Sequence, residues 1–194
     1  MPKILGISGS PRRGGNTEIL LDRALEGASR AGAIAEKIIL NELYLTPCQG
    51  CYDRCGKKGA CVVKDDMRLI YRKLDEADAL VIASPIYFGS VSAQLKIMID
   101  RCNSYWVRKY LSKMPIPKKK KRKGVFLCCA AGKRVAFFEN AKSIVRFFFG
   151  TLGIEYYGDI FCGGVVDAGE ITKRRRELKM AFELGRKLIG KSLE

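Results

Sequence analysis

"KILGISGSPRRGGNTEILLDRALEGAS", residues 3–29, decides the fold. Its first six residues, 3–8, form a short apolar run of the length of a buried strand. From residue 17 the pattern changes period: Leu21, Ala24, Leu25 and Ala28 fall on one face of a helix. Between the two lies "SGSPRRGGNT", residues 8–17, which small, hydroxylated and glycine residues fill. A strand that turns through such a loop into a helix directs backbone N–H groups and a positive helix terminus to one spot, where an anion fits.

The same alternation continues along the chain. Residues 34–40, 79–84, 124–130 and 154–161 are further strand-like runs. Leu95, Met98, Ile99 and Cys102 line a helix after the third, and Leu178, Ala181, Phe182, Leu188 and Ile189 line the last helix. Strands separated by helices imply a parallel sheet covered on both faces. Five of them suit an α/β, doubly wound order 2-1-3-4-5. At 194 residues the chain is the size of a single domain, 1–194, with two excursions. One is the cysteine stretch 46–64, which precedes a helix that Asp65 or Asp66 can cap; the other is the basic stretch 103–123.

Thirty-six Lys and Arg against 20 Asp and Glu leave a formal charge of +16, which favours acidic or phosphate-bearing partners. The chain has no histidine, so neither an imidazole base nor an imidazole metal ligand is available. No run reaches the length of a membrane span and no signal-peptide pattern opens the chain, which leads to the expectation of a soluble, cytoplasmic protein. RNA-binding aromatic motifs and zinc-finger spacings are missing, which argues against nucleic acid as the partner.

In the first loop Ser8, Ser10, Arg12, Asn16 and Thr17 can add side-chain donors to the backbone N–H groups. The loop is neither G-x-G-x-x-G nor a P-loop, and a single phosphate monoester suits it better. The alternative is a plain turn with Thr17 as helix cap. After the third strand comes "SPIYFGSVSAQLKIMIDR", residues 84–101, in which Pro85, Ile86, Tyr87, Phe88 and Gly89 offer a surface for a flat ring. In a doubly wound sheet the loops after the first and third strands open onto one crevice. Phosphate beside a flat ring points to a mononucleotide, with FMN the first candidate.

Four of the eight cysteines, Cys48, Cys51, Cys55 and Cys61, crowd into "TPCQGCYDRCGKKGACVVKDD", residues 46–66. In a reducing compartment such a group is read as metal-binding or catalytic. The remaining four, Cys102, Cys128, Cys129 and Cys162, sit in apolar segments and read as structural.

"SGSPRRGGNTEILL", "SPIYFGSVSAQLKIMIDR" and the four cysteines ahead of "KDDM" together resemble the iron–sulfur flavoproteins. These are a mainly archaeal, anaerobic branch of the flavodoxin-like, NAD(P)H-dependent FMN reductase family. The resemblance covers residues 3–101 and implies a flavodoxin-like fold with FMN bound non-covalently. It implies a [4Fe–4S] cluster on the cysteine loop, and a dimer or tetramer in which the cluster of one subunit approaches the flavin of another. It further implies ferredoxin as donor and O2 or H2O2 as possible acceptors. Two features depart from the family pattern. Three residues rather than two separate Cys51 from Cys55, and Lys133 and Arg134 follow the third loop's glycine. Zinc is the competing metal, since four thiolates also close a tetrahedral site. With zinc or a vestigial site the chain reads instead as an NAD(P)H-dependent FMN or quinone reductase. Lys118–Lys121, with Arg122 and Lys123, form either a solvated loop or a docking patch for an acidic redox protein.

Overall fold

The computed structural model describes residues 1–58, 60–112 and 122–189. Gly59 and the whole stretch between Ser112 and Arg122, the run Lys118–Lys121 included, lie outside the described residues. In chain order the elements are β1 (Lys3–Ser8), α1 (Asn16–Arg30), β2 (Ile34–Ile39), α2 (Tyr52–Lys58), α3 (Met67–Glu76), β3 (Ala79–Tyr87) and β4 (Ser90–Val91). They continue with α4 (Ala93–Arg101), α5 (Asn103–Trp106), β5 (Arg122–Ala130), α6 (Val135–Thr151), β6 (Ile154–Gly163) and α7 (Arg175–Ile189). Five parallel strands form the sheet in the order β2-β1-β3-β5-β6, and the two-residue β4 pairs antiparallel with the end of β3. The fold is α/β and flavodoxin-like. Among the described residues no helix is long and apolar enough to cross a membrane.

Period-two alternation sorts the strand residues into two cores. Leu5, Ile7, Leu80, Ile82, Phe126 and Cys128 point to the side covered by α3, α4 and α6. Ile4, Val81, Ala83, Val125, Leu127 and Cys129 point to the side covered by α1 and α7. Both faces are buried, so these strands read as continuous apolar runs. The α1–α7 contact is unusually close. A Cβ on Gly27 would stand 2.0 Å from the Phe182 carbonyl oxygen, and one on Gly185 would stand 1.8 Å from that of Ala24.

Several expected boundaries change, each for a local reason. The third strand does not end at residue 84, because Pro85 still pairs with Cys129 of β5 and Ile86 and Tyr87 pair with β4. "PIYFG" is therefore a strand end and a hairpin turn instead of a free loop. Leu40 leaves β2 for a 3-10 turn, Leu40–Glu42. The cysteine stretch contains a seven-residue helix, α2, and residues 103–111 are helical, with a π-turn over Val107–Leu111. Neither Asp65 nor Asp66 caps α3 in the expected manner. Asp66 is spent on the Tyr44 N–H, and Asp65 accepts from Met67 at 3.1 Å while serving mainly elsewhere. Arg122 and Lys123 belong to β5: Arg122 donates to the carbonyls of Leu74 and Leu152 at the ends of α3 and α6, and the Lys123 amine lies 4.3 Å from the Tyr157 ring. Those two charges are structural, which leaves only Lys118–Lys121 of the expected patch.

Candidate functional site

The loops after β1 and β3 meet at the carboxyl ends of adjacent strands. Gly9 donates its N–H to the Ala83 carbonyl at 2.8 Å. Ser92, fully buried, donates to the Gly9 carbonyl at 2.6 Å while accepting from Leu95 as the N-cap of α4. Ser84 accepts from the Ser92 N–H at 2.9 Å and donates to the Pro85 carbonyl. A second chain of bonds runs from Gln94 to Asn41 and from Asn41 to the Pro11 carbonyl. The two loops thus form one bonded frame. Of these residues only Ser92 carries a sequence signal, as a hydroxylated residue just ahead of an apolar helix.

The expected phosphate residues sit in different settings. Ser10 closes a tight turn, accepting from the Arg12 N–H at 3.2 Å, and Thr17 is buried. Arg12 is exposed on the loop, and among the described residues its guanidinium makes no hydrogen bond or ion pair. Ser8 is fully buried and its hydroxyl has no hydrogen-bond partner among the described residues, which is costly unless a ligand supplies one. Asn16 is engaged structurally: its amide donates to the Asp167 carbonyl at 2.8 Å and accepts from the Ile171 N–H at 3.1 Å. That bond ties α1 to the segment ahead of α7. Gly15 is the N-cap of α1, and the first helical bond runs from Ile19 to Gly15, so the N–H groups of Asn16, Thr17 and Glu18 precede the ladder. Thr17 is not the cap.

Glu18 adds a charge that sequence reasoning passes over. Its carboxylate, only 4 % exposed, accepts from the Gly14 N–H at 2.9 Å, from Arg13 at 3.0 Å and from Lys37 at 2.9 Å. Burial pushes this carboxyl up, but the Lys37 and Gly14 hydrogen bonds and the Lys37 and Arg13 charges outweigh it, so it stays below the usual glutamate value of 4.5. The folded form therefore gains stability that is complete above pH 4.5 and fades as pH falls further. Glu18→Gln is expected to cost about 2 kcal/mol at pH 7, the scale of a charged hydrogen bond. Urea midpoints of the two proteins should differ at pH 7, and the difference should shrink as the pH is lowered below 4.5.

At the ring side, Phe88 and Gly89 make a two-residue hairpin turn with φ of 49° and 72°. A non-glycine residue in this region costs about 1–3 kcal/mol, and it stays there when its surroundings demand it. Asn140 of α6 donates to the Gly89 carbonyl at 2.6 Å, and a Cβ on Gly89 would meet the Phe137 ring at 3.0 Å. Ile86 is buried, Pro85 half-buried, and Tyr87 and Phe88 are exposed, with Val135 and Phe137 at the start of α6 also exposed. Lys133 lies against Gly163 and Gly164, beside Arg174. The orphaned Ser8 hydroxyl, the N–H groups that precede the α1 ladder and exposed rings at a positive-φ turn, all on one bonded frame, fit a phosphate-bearing flat ligand.

The cysteine loop begins with Cys48, exposed, and Cys51, half-buried. Gly50, at φ 63°, turns the chain into α2, and the Cys51 carbonyl accepts from the Cys55 N–H at 3.2 Å. Four residues apart on a helical turn, Cys51 and Cys55 share one face. Burial and the neighbouring thiols Cys51, Cys61 and Cys48 push the Cys55 thiol up to about 11. Among the described residues no group of three or more His, Cys, Asp or Glu side chains is gathered as a metal site. The donor set is nonetheless four soft thiols on one loop, the chemistry that iron–sulfur clusters and zinc both use. Beside this loop opens a cavity of about 600 Å³, walled by Pro47, Cys48, Tyr52, Cys102, Trp106 and Phe147 among others. On the opposite side of the sheet, Cys129 and Cys162 are paired neighbours of β5 and β6.

The neck of the loop is closed by Arg101 of α4. Its Nη1 donates to the Thr46 carbonyl at 2.7 Å, and both Nη atoms bind the Asp65 carboxylate. Both side chains are completely buried. Asp65 also accepts from the Thr46 N–H at 2.8 Å, and Tyr44 and Asp66 exchange bonds next to it. Helix α4 therefore carries the crevice frame at Ser92 and the cysteine neck at Arg101.

The family described as NADPH-dependent FMN reductase matches residues 2–134. The chain is 46 % identical over 99 residues to an iron–sulfur flavoprotein of Methanocaldococcus jannaschii, an overlap that covers 51 % of either chain. It is 41 % identical over 99 residues to an iron–sulfur flavoprotein of Methanosarcina thermophila, again over 51 % of either. The chain spans about half the length of the curated relatives it matches. Among solved structures it is similar to an NAD(P)H:quinone oxidoreductase from Methanothermobacter marburgensis, with a TM-score of 0.75 and 22 % identity, over 99 % of this chain and 98 % of that one. That likeness concerns the fold.

Proposed function

We propose, from the premise that the chain belongs to the NADPH-dependent FMN reductase family, that it is an iron–sulfur flavoprotein. In this reading FMN occupies the crevice between the two bonded loops, and Cys48, Cys51, Cys55 and Cys61 hold a [4Fe–4S] cluster. Bound together, the two cofactors let one-electron and two-electron partners exchange electrons. Ser8, Ser10, Arg12, Thr17 and the N-terminal N–H groups of α1 bind the phosphate, with Asn16 bracing the loop. Pro85, Ile86, Tyr87, Phe88 and Gly89 contact the ring and exclude water from one edge. The observation that carries this reading is the double attachment of α4, whose N-cap builds the crevice and whose last residue clamps the cysteine loop.

An acidic donor such as ferredoxin accords with the basic surface, and O2 or H2O2 as acceptor rests on the family resemblance alone. A second copy of the chain accords with the exposed Tyr87, Phe88, Val135 and Phe137. A competing reading is an NAD(P)H-dependent FMN or quinone reductase with a zinc or vestigial cysteine site. The family match over residues 2–134, whose description names NADPH and FMN, favours it. Anaerobic purification, a visible spectrum and analysis of iron, sulfide and zinc separate the two. FMN with about four iron and four sulfide per chain is expected; FMN with stoichiometric zinc sinks the first reading. Cys48→Ser or Cys55→Ser should remove the iron and leave the flavin in place.

A further inference from the structure

A second cavity opens at the carboxyl ends of β5 and β6, further along the sheet edge that carries the crevice. Its volume is about 420 Å³, and it is walled by Lys133, Val135, Phe138, Phe161, Arg174 and Glu177 among others. The two cations are held in place by the end of β6. A Cβ on Gly163 would meet Lys133 Cγ at 3.2 Å, and one on Gly164 would meet Lys133 Cε at 2.6 Å. The lysine stem thus lies in space that side chains at these two positions would fill. Arg174 donates from Nη2 to the Gly164 carbonyl at 3.3 Å. Lys133 Nζ and Arg174 Nη2 stand 3.6 Å and 3.7 Å from the same Gly164 position, close enough to share one anion. Among the described residues neither cation has an ion pair. Helix α6 begins at Val135 and adds its positive terminus to the same wall.

We propose that this cavity binds a small organic monoanion, a carboxylate carried on an apolar body. Lys133 and Arg174 take the carboxylate. Phe138 and Phe161, whose rings stack with centroids 5.2 Å apart, take the body together with Val135. The volume falls in the range of small-molecule sites, and mostly apolar walls with a few convergent charges are what such sites share. Charge selects the class of ligand. The lining holds two cations and one carboxylate, Glu177, a balance that complements a single negative charge. A phosphate monoester carries more than one at neutral pH and meets that balance less well. The cavity shares no lining residue with the loops after β1 and β3 or with the cysteine stretch.

Naphthoate and its neutral amide are the probes, titrated calorimetrically into the full chain with and without excess FMN. Naphthoate should bind equally well in both conditions, and the amide about tenfold more weakly, the scale of one charge-assisted hydrogen bond. Lys133→Met and Arg174→Gln should each weaken naphthoate by about the same tenfold factor and leave the amide unchanged. Glu177→Gln should tighten naphthoate, because it removes a like charge from the wall. Lys133 is exposed and Arg174 and Glu177 are half-buried, and melting curves confirm that each variant is folded before its affinity is compared. Wild-type protein that does not bind naphthoate, or binds acid and amide equally, overturns the proposal. Unchanged affinity in Lys133→Met, or weaker binding in Glu177→Gln, does the same. Displacement of naphthoate by FMN also overturns it, since the ligand then sits in the crevice.

Discussion

Gly185→Ala is expected to lower the unfolding free energy by about 3 kcal/mol, the upper part of the range for overpacking a filled core. The added Cβ would lie 1.8 Å from the Ala24 carbonyl oxygen, and a backbone atom of the facing helix cannot move aside as a side chain can. Helices α1 and α7 must separate, and with them the core formed by Leu20, Leu21, Ala24, Ala28, Ala181 and Leu188. For a chain of this size the melting temperature should fall by about 6–12 °C. Gly27→Ala, whose Cβ would lie 2.0 Å from the Phe182 carbonyl oxygen, should act similarly. The double variant should cost less than the two singles added, because helices already parted by one methyl have room for the second. Calorimetry on the four proteins checks this; full additivity would mean that the two contacts do not share one helix separation.

Asp65→Ala should be the most damaging change in the cysteine loop, at about 3–5 kcal/mol, because it leaves a buried guanidinium without its counter-charge. The loss includes the bonds that Asp65 accepts from Thr46 and Met67, so the neck of the loop opens as well. Adding Arg101→Met should restore part of the stability, since an apolar side chain does not demand a partner. Burial pushes the Asp65 carboxyl up, but Arg101 and the Thr46 and Met67 N–H groups hold it below the usual aspartate value of 3.8. Its contribution is thus complete above that pH and is lost as pH falls below it. Urea titrations should show a wide gap between wild type and Asp65→Ala at pH 7 that narrows in strong acid. A gap independent of pH would show that the carboxylate charge contributes nothing.

Part of the candidate site is legible in the amino-acid sequence. Ser8, Ser10 and Arg12 lie in a recognisable strand–loop–helix turn, and Tyr87, Phe88 and Gly89 stand in the quoted polar segment that the structure makes a strand end and hairpin turn. Helix α2 is not legible, because Gly56 and Cys55 leave no apolar helical pattern over its seven residues. Cys51 immediately precedes that helix and accepts, through its carbonyl, the Cys55 N–H at 3.2 Å. Glu18 and Arg101 look like ordinary charges on amphipathic helices, since a sequence window does not show that the apolar side of a helix also contains a buried ion pair. Arg122 and Lys123 read as part of the lysine run because composition is continuous across residue 121, whereas strand pairing begins at Arg122.

By itself the sequence determined the alternation of strands and helices, the two-faced burial of the sheet and the position of both polar loops. These follow from local periodicity, which each segment carries within itself. Only the tertiary structure decided which polar groups meet. Ser92 reaches Gly9 across 83 residues, Asn16 reaches Ile171 across 155, and Arg101 reaches Asp65 across 36. Such partners are chosen by the three-dimensional packing of the sheet and its helices, because a buried polar group must take whatever acceptor or donor the fold brings within bonding distance.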